Sequence, residues 1–399
     1  MMIKYLYWIG AVLMFAACSQ EATLTIVNGG LENDTLYVEH SNFAERVAAR
    51  GDRAAYDRRV DTLLFQEGRV TMSMPTDGAQ FVSLLSPCYR GSEAGREFMH
   101  PAGRIDLVVQ GGEKLEVTLK PQKHGHLTAS VSGSELNAEI VKLDNQVRAV
   151  QVDMYATGFA LNEARRAKSN AADSLQNRLM NIRSAFHSVY AEYMKANPAT
   201  EASAYCLYQM GAARGERYYE DLDAKVFRGV FTPVRELAEQ YYNEQALRVE
   251  LKGKIAEGEK APDFALKNPD GKSVTLSSHR GKWVVLDFWG TWCSWCIKGM
   301  PRMKKLYEQY GDRMEIIGIA CGDKAETWRQ AVDKMELKWV NVIDPMDVPV
   351  KESVAARYAV EGYPTKVIID PEGSIYKIFK GESPAFYDEL KELFGNQTN

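Results

Sequence analysis

Between Trp283 and Pro301 the chain reads WVVLDFWGTWCSWCIKGMP, and no other stretch restricts its fold so tightly. Trp283 to Phe288 is a short apolar run rich in valine and aromatic residues, bounded by Gly281-Lys282 and Gly290, which is the pattern of a buried strand. Beyond it Ile297, Met300, Met303, Leu306, Tyr307 and Tyr310 recur at helical spacing, so strand gives way to helix within a few residues. Cys293 and Cys296 stand at that junction. A sulfur at a helix N-terminus meets unpaired backbone N–H groups and the positive end of the helix dipole, which favour thiolate over thiol. Cys293 is therefore the expected nucleophile. Cys296, one turn on, is placed to attack a mixed disulfide formed there.

A Cys-x-x-Cys pair is also half of a structural zinc site, but zinc requires a second pair of ligands. Cys88 and Cys206 are single, and His124 and His126 flank one glycine with no cysteine pair beside them. With a strand before the motif and a helix after it, the redox reading is the stronger one, and no metal ligands are assigned.

The run Asp287-Phe288-Trp289-Gly290-Thr291-Trp292-Cys293-Ser294-Trp295-Cys296, followed by Pro301 and by Gly362-Tyr363-Pro364-Thr365 downstream, resembles the thioredoxin-fold thiol-disulfide oxidoreductases. The resemblance is to their extracytoplasmic, membrane-tethered TlpA- and ResA-like group, and it covers about Ile255 to Phe394. It implies no cofactor beyond a redox-active disulfide between Cys293 and Cys296. It implies a cis peptide bond before Pro364, which turns the Tyr363 backbone toward an extended substrate segment, and an indole rim at Trp292, with Trp289 either in that rim or in the core. Asp287 matches the buried acid of thioredoxin itself. Stripped of water, a carboxyl group there holds its proton tightly and can relay the proton of Cys296. The ResA-like group usually carries a glutamate three residues after the second cysteine and an amide in the strand. Here those positions are Gly299 and Asp287, so the acid is expected from the strand. Ser294-Trp295 between the cysteines leaves the direction of electron transfer open.

Near the start of the sequence Lys4 precedes an apolar run from about Tyr5 to Ala17, too short to span a bilayer and suited to a signal peptide over residues 1–17. Phe15-Ala16-Ala17-Cys18 resembles a bacterial lipobox, although Phe15 departs from its usual leucine. That implies a lipid on Cys18, with ordinary secretion as the alternative. Either way a cell-envelope protein is expected, facing the periplasm or held on the outer membrane, where Ser19 is the kind of residue seen after the cysteine.

Residues 18–132 carry short β-branched or alternating segments separated by Gly, Pro and Asn-Asp turns, as in an antiparallel β-sandwich-like domain. This part loosely resembles the β domain of unknown function that precedes thioredoxin domains in Gram-negative lipoproteins, down to Val131-Ser132-Gly133-Ser134-Glu135-Leu136-Asn137. Its arginine-dense stretch, Arg46 to Arg59, suits a solvated loop or surface helix. Residues 133–253 change to helical spacing and suggest a helical linker domain, in which Tyr205, Tyr208, Tyr218, Tyr219, Tyr241 and Tyr242 fit core packing, with a docking face as the alternative. Residues 254–399 follow the α/β alternation of a thioredoxin fold.

A net charge of −4 without a basic stripe gives no case for nucleic acid. The expected function is an extracytoplasmic reductase of protein disulfides, drawing electrons from a membrane donor and serving secreted proteins or apocytochromes in cytochrome c maturation. An oxidase or isomerase with the same site is one alternative. A ligand-binding surface lipoprotein with an auxiliary redox domain is another. A thiol peroxidase is suggested by Ala261-Pro262-Asp263-Phe264, but needs Thr or Ser three residues before the cysteine and a proline upstream, where Gly290 and Leu286 stand.

Overall fold

The computed structural model describes residues 21–49, 52, 54–75, 78–93, 96–99, 103–122, 126–346 and 348–395. The expected signal peptide and Cys18 lie outside the described residues. The chain divides into two compact units, Met1–Tyr241 and Tyr242–Asn399.

Alternation of buried and exposed side chains builds the first unit. Its opening elements are β1 (Glu21–Asn28), β2 (Thr35–Asn42), the short helix α1 (Phe43–Ala48), β3 (Arg59–Leu64), β4 (Arg69–Pro75) and β5 (Gln80–Leu85). β6 (Arg90–Glu93), β7 (Arg96–Met99), β8 (Arg104–Val109), β9 (Lys114–Gln122) and β10 (His126–Ser132) follow. Two sheets of four result, ordered β10-β9-β1-β4 and β3-β2-β5-β8, with β6 and β7 paired separately. Leu24, Ile26, Leu115 and Val117 of one sheet meet Leu36, Val38, Leu84 and Leu107 of the other in a single core, which makes a β-sandwich. One pairing departs from the antiparallel expectation. β1 and β9 run parallel, with Leu24 beside Leu115 and Ile26 beside Val117, because β9 crosses from β8 in the opposite sheet instead of folding back along β1. Of the arginine-dense stretch, Arg46 falls in α1 and Arg59 opens the edge strand β3. Arg46 lays its guanidinium over the Phe81 ring at 4.1 Å and donates to Tyr56 and Tyr208, so its charge is used inside the unit.

The helices are α2 (Glu135–Arg166), α3 (Ala171–Ala196), α4 (Glu201–Met210), α5 (Ala212–Tyr219) and α6 (Thr232–Gly253), the last running across the boundary between units. The junction at 132/133 is a change of secondary structure inside one unit. Gly133 leaves β10 at φ +89°, where a Cβ would stand 2.0 Å from the Lys114 carbonyl. Ser134 then caps α2 by accepting the Asn137 N–H. The Asn137 side chain bonds both backbone groups of Val108 on β8, at 2.8 and 2.9 Å, and Val141 enters the sandwich core. The helices are therefore held to the sheets from their first turn. Tyr205 is fully buried and Tyr208 packs edge-on against Phe43, in keeping with a core role.

The second unit holds β11 (Ala265–Lys267), β12 (Ser273–Thr275), β13 (Trp283–Trp289), α7 (Ser294–Tyr310), β14 (Met314–Cys321) and α8 (Ala325–Lys334). It closes with β15 (Val340–Asp344), α9 (Val354–Arg357), β16 (Thr365–Ile369), β17 (Ile375–Lys380) and α10 (Pro384–Gly395). Its seven strands are ordered β12-β11-β15-β14-β13-β16-β17. β13, β14 and β15 are parallel, as βαβ connections require, while β16 and β17 return antiparallel. This is the thioredoxin fold that the alternation predicts. The interior strand β13, buried on both faces, divides the core: Val285 and Trp289 pack with α7 and α10, while Leu286 and Phe288 pack with Tyr358 and Ala261.

Candidate active site

The site forms where β13 ends and α7 begins. Between them, Thr291 donates its backbone N–H and its hydroxyl to the carboxylate of Asp323 beyond β14, which fixes the turn. Gly290 is dictated by space: a Cβ there would stand 2.5 Å from the Trp292 indole nitrogen and 3.0 Å from the Cys321 carbonyl. Cys293 is the N-cap of α7, and its sulfur accepts the Cys296 N–H at 3.2 Å. The two sulfurs are bonded to each other at 2.04 Å, with the cysteines 6% and 3% exposed. The more open of the two is the capping one, which is the arrangement that activates an attacking thiolate. The helix runs on through Pro301.

Around the pair the side chains are aromatic. Trp292 is 56% and Trp295 63% exposed, and Ile297 stands beside them at the surface. The Trp292 indole donates to the Cys321 carbonyl at 3.0 Å and meets the Tyr363 ring edge-on, with centroids 5.2 Å apart. Trp289, in contrast, is fully buried and belongs to the core. The Tyr363–Pro364 bond is cis. Both residues stand just beyond the β13–β16 ladder, which begins at Phe288 and Thr365, and Tyr363 packs against the cluster that holds both cysteines. Cys321 is sealed at the end of β14, where burial pushes its thiol up. It has no N-cap or partner sulfur of the kind Cys293 has.

Asp287 is buried, as the resemblance implies, but it is not alone. The β13–β16 register sets it directly opposite Lys366, whose ammonium lies 3.2 Å from Asp287 Oδ1 and 3.3 Å from Glu382 Oε2. The lysine bonds Glu382 and approaches Asp287 off the hydrogen-bonding direction, so Asp287 Oδ1 has an ionic neighbour without a donor aligned on it. Tyr387 donates to the other oxygen of Glu382. The buried acid expected from the sequence thus stands in a cluster of two carboxylates sharing one ammonium. Neither Lys366 nor Glu382 was singled out in the sequence. Lys366 is the second residue of the buried strand β16 and is 2% exposed, and a lysine inside a buried run is itself a sign of a paired charge.

A cysteine pair that closes reversibly, with one sulfur at a helix N-terminus and an aromatic rim beside a backbone loop, can accept another disulfide by exchange. The AhpC/TSA family model matches residues 257–378. The thioredoxin-like protein YneN of Bacillus subtilis is 37% identical over 130 residues, which is 32% of this chain and 73% of that protein. The thiol-disulfide oxidoreductase ResA of Geobacillus thermodenitrificans is 36% identical over 128 residues, covering 32% of this chain and 71% of its own length. A solved thioredoxin domain of a thiol-disulfide oxidoreductase from Bacteroides vulgatus is 31% identical, over 35% of this chain and 98% of that one, with a TM-score of 0.32.

Proposed function

The chain belongs to the family of thioredoxin-like thiol-disulfide oxidoreductases that includes ResA and YneN, and from that premise we propose that it works as a reductase of protein disulfides outside the cytoplasm. The observation that carries this reading is the Cys293–Cys296 disulfide itself, capped at the start of α7 and bordered by Trp292 and the cis Tyr363–Pro364 bond. In the reducing direction the Cys293 thiolate attacks a substrate disulfide, and a mixed disulfide forms as one substrate thiolate leaves. Cys296 then gives up its proton and attacks Cys293 Sγ. The second substrate sulfur departs as a thiolate and takes up a proton, and the pair is left oxidised. Two electrons have passed to the substrate, and a thiol donor at the membrane must restore them.

The buried charge supports this direction. Two carboxylates against one ammonium leave excess negative charge behind the sulfurs, which disfavours thiolates and so favours the disulfide over the dithiol; a dithiol of that kind gives electrons away readily. Trp292, Tyr363 and Pro364 are the proposed substrate contacts, with the Tyr363 backbone pairing an extended segment. The apolar run before Cys18 supports secretion, and Phe15-Ala16-Ala17-Cys18 supports a lipid anchor on the cell envelope. Secreted proteins and apocytochromes awaiting haem are the substrate classes that fit that placement. Peroxide reduction is opposed at Gly290, because a threonine Cβ there would collide with the Trp292 indole.

Insulin reduction tests the reading. The full chain should accelerate it, Cys293→Ser should abolish it, and Cys296→Ser should accumulate a mixed disulfide on Cys293. Turnover by the Cys293→Ser protein, or no turnover by the unaltered one, would reject it.

A further inference from the structure

Helix α7 turns Cys296, Gly299, Met300 and Met303 inward. At Gly299 that face has no side chain, and the space is filled from another element. A Cβ built on Gly299 would lie 2.5 Å from Glu382 Oε2 and 2.7 Å from its carboxyl carbon. Glu382 sits in the turn between β17 and α10, so this carboxylate docks against the α7 backbone one turn beyond Cys296. Lys366 Nζ holds its Oε2 at 3.3 Å and reaches Asp287 Oδ1 at 3.2 Å, while Tyr387 donates to Oε1. The Arg302 guanidinium covers the Tyr387 ring at 3.9 Å. A flexible surface glutamate has no need of three such neighbours.

We propose that Glu382 is a positioning carboxylate for exchange at Cys293–Cys296: seated over Gly299, it locks Lys366 against Asp287 and supplies the excess negative charge against which the two thiols ionise. The proposal rests on the disulfide-exchange reading and adds a residue to it. The charged and titratable groups packed around the pair are Asp287 on β13, Lys298 and Arg302 on α7, Cys321 on β14, Asp323 beyond it, Tyr363, Lys366 on β16, Glu382, and Tyr387 on α10. Only Glu382 reaches its place across an empty side-chain position. During the resolving step Cys296 loses its proton and its sulfur bonds Cys293 as the partner's sulfur leaves, and the negative charge behind the site sets the pH at which that proton is lost. When the pair is next reduced by a dithiol donor, a proton returns to Cys296.

The geometry gives a rescue test. A carboxyl carbon attached to a Cβ at position 299 falls close to the place that the Glu382 carboxyl now occupies. Three full-length variants are compared: Glu382→Gln, Glu382→Ala, and Glu382→Ala with Gly299→Asp. Thiolate absorbance of the reduced protein against pH, and equilibration with glutathione, are the two readouts. Glu382→Gln should move the thiolate titration down by about one pH unit. It should also shift the glutathione equilibrium about tenfold toward the dithiol, or ~30 mV. Glu382→Ala should do the same, and adding Gly299→Asp should bring both readouts back. Unmoved titrations in Glu382→Gln would overturn the proposal, and so would a double variant that behaves like Glu382→Ala. If the unaltered protein reduces no insulin while Glu382→Gln still shifts the titration, the reductase reading fails and the role of Glu382 stands.

Discussion

Each unit buries a carboxylate near a thiol, and only one of the two thiols is built to react. In the first unit Asp144 accepts the hydroxyls of Tyr190 and Tyr205 at 3.0 and 2.9 Å, and burial pushes its carboxyl up to about 6 against the pull of Arg148. Burial pushes the Cys206 thiol up, and the nearby Asp144 charge pushes it the same way. Cys206 stands in the middle of α4, away from the helix N-terminus. In the second unit Asp287 and Glu382 flank Lys366, and Cys293 begins its helix with the Cys296 N–H aimed at its sulfur. Buried acid beside sulfur therefore does not make a redox site. The position of the sulfur on its helix does, and the acid adjusts what that position has created.

Removing the cation that both carboxylates share tests this contrast most severely. Lys366→Met leaves Asp287 and Glu382 facing each other without a countercharge, which should cost about 3–5 kcal/mol of stability in the second unit. Urea unfolding followed by tryptophan fluorescence reads the loss. Adding Glu382→Gln to Lys366→Met should recover part of it, whereas equal instability of the single and double variants would show that Lys366 matters for packing alone.

Asp144 gives the next effect, with a definite sign. Its folded-state value of about 6 exceeds its ordinary 3.8, so between those values the folded chain binds more protons than the unfolded one. Stability of the first unit then falls as pH rises from about 4 to about 6 and stays lower above, by about 3 kcal/mol in all. Asp144→Asn should remove that slope and raise the melting temperature at pH 7. A slope that survives in the variant would place its origin elsewhere.

How far the sequence reveals this contrast depends on where the information lies along the chain. The redox fold was legible because its signals are local: an apolar strand, two cysteines, a helical stripe, and Tyr363-Pro364 before another strand. The β3, β6, β7 and β10 strands were not, since Arg59–Leu64 and Arg90–Glu93 are edge or hairpin segments with little apolar alternation. The parallel β1–β9 pair was hidden because register between distant strands leaves no mark in either one. The same limit concealed Lys366 and Glu382. Asp287 could be read as a buried acid, but its partner comes through strand register and its second carboxylate through a glycine one helix away. Gly299 looked like a missing acid, whereas in the fold it is the space that another acid fills.

Gly290→Ala probes the other half of the comparison, the local geometry that makes the sulfur reactive. Its Cβ would meet the Trp292 indole at 2.5 Å, and relieving that contact should cost about 1–3 kcal/mol. Because Trp292 also packs on Tyr363, the larger sign should be a raised KM for insulin with the Cys293–Cys296 disulfide still able to form. Unchanged tryptophan fluorescence and an unchanged KM would remove Trp292 from the substrate surface.

The smallest effect belongs to the thiol that the comparison treats as inert. Cys206 is fully buried in α4 beside the Asp144 cluster, so Cys206→Ala should lower stability by only about 1 kcal/mol, through a small cavity. It should leave insulin reduction where it was. In the reduced native protein, brief iodoacetamide treatment should modify Cys293 and pass over Cys206, because only the first sulfur combines a helix N-cap with a route to solvent. Labelling of Cys206 at a comparable rate would mean that burial and mid-helix position do not separate these two thiols. The distinction between the units would then have to rest on the lysine and its two carboxylates.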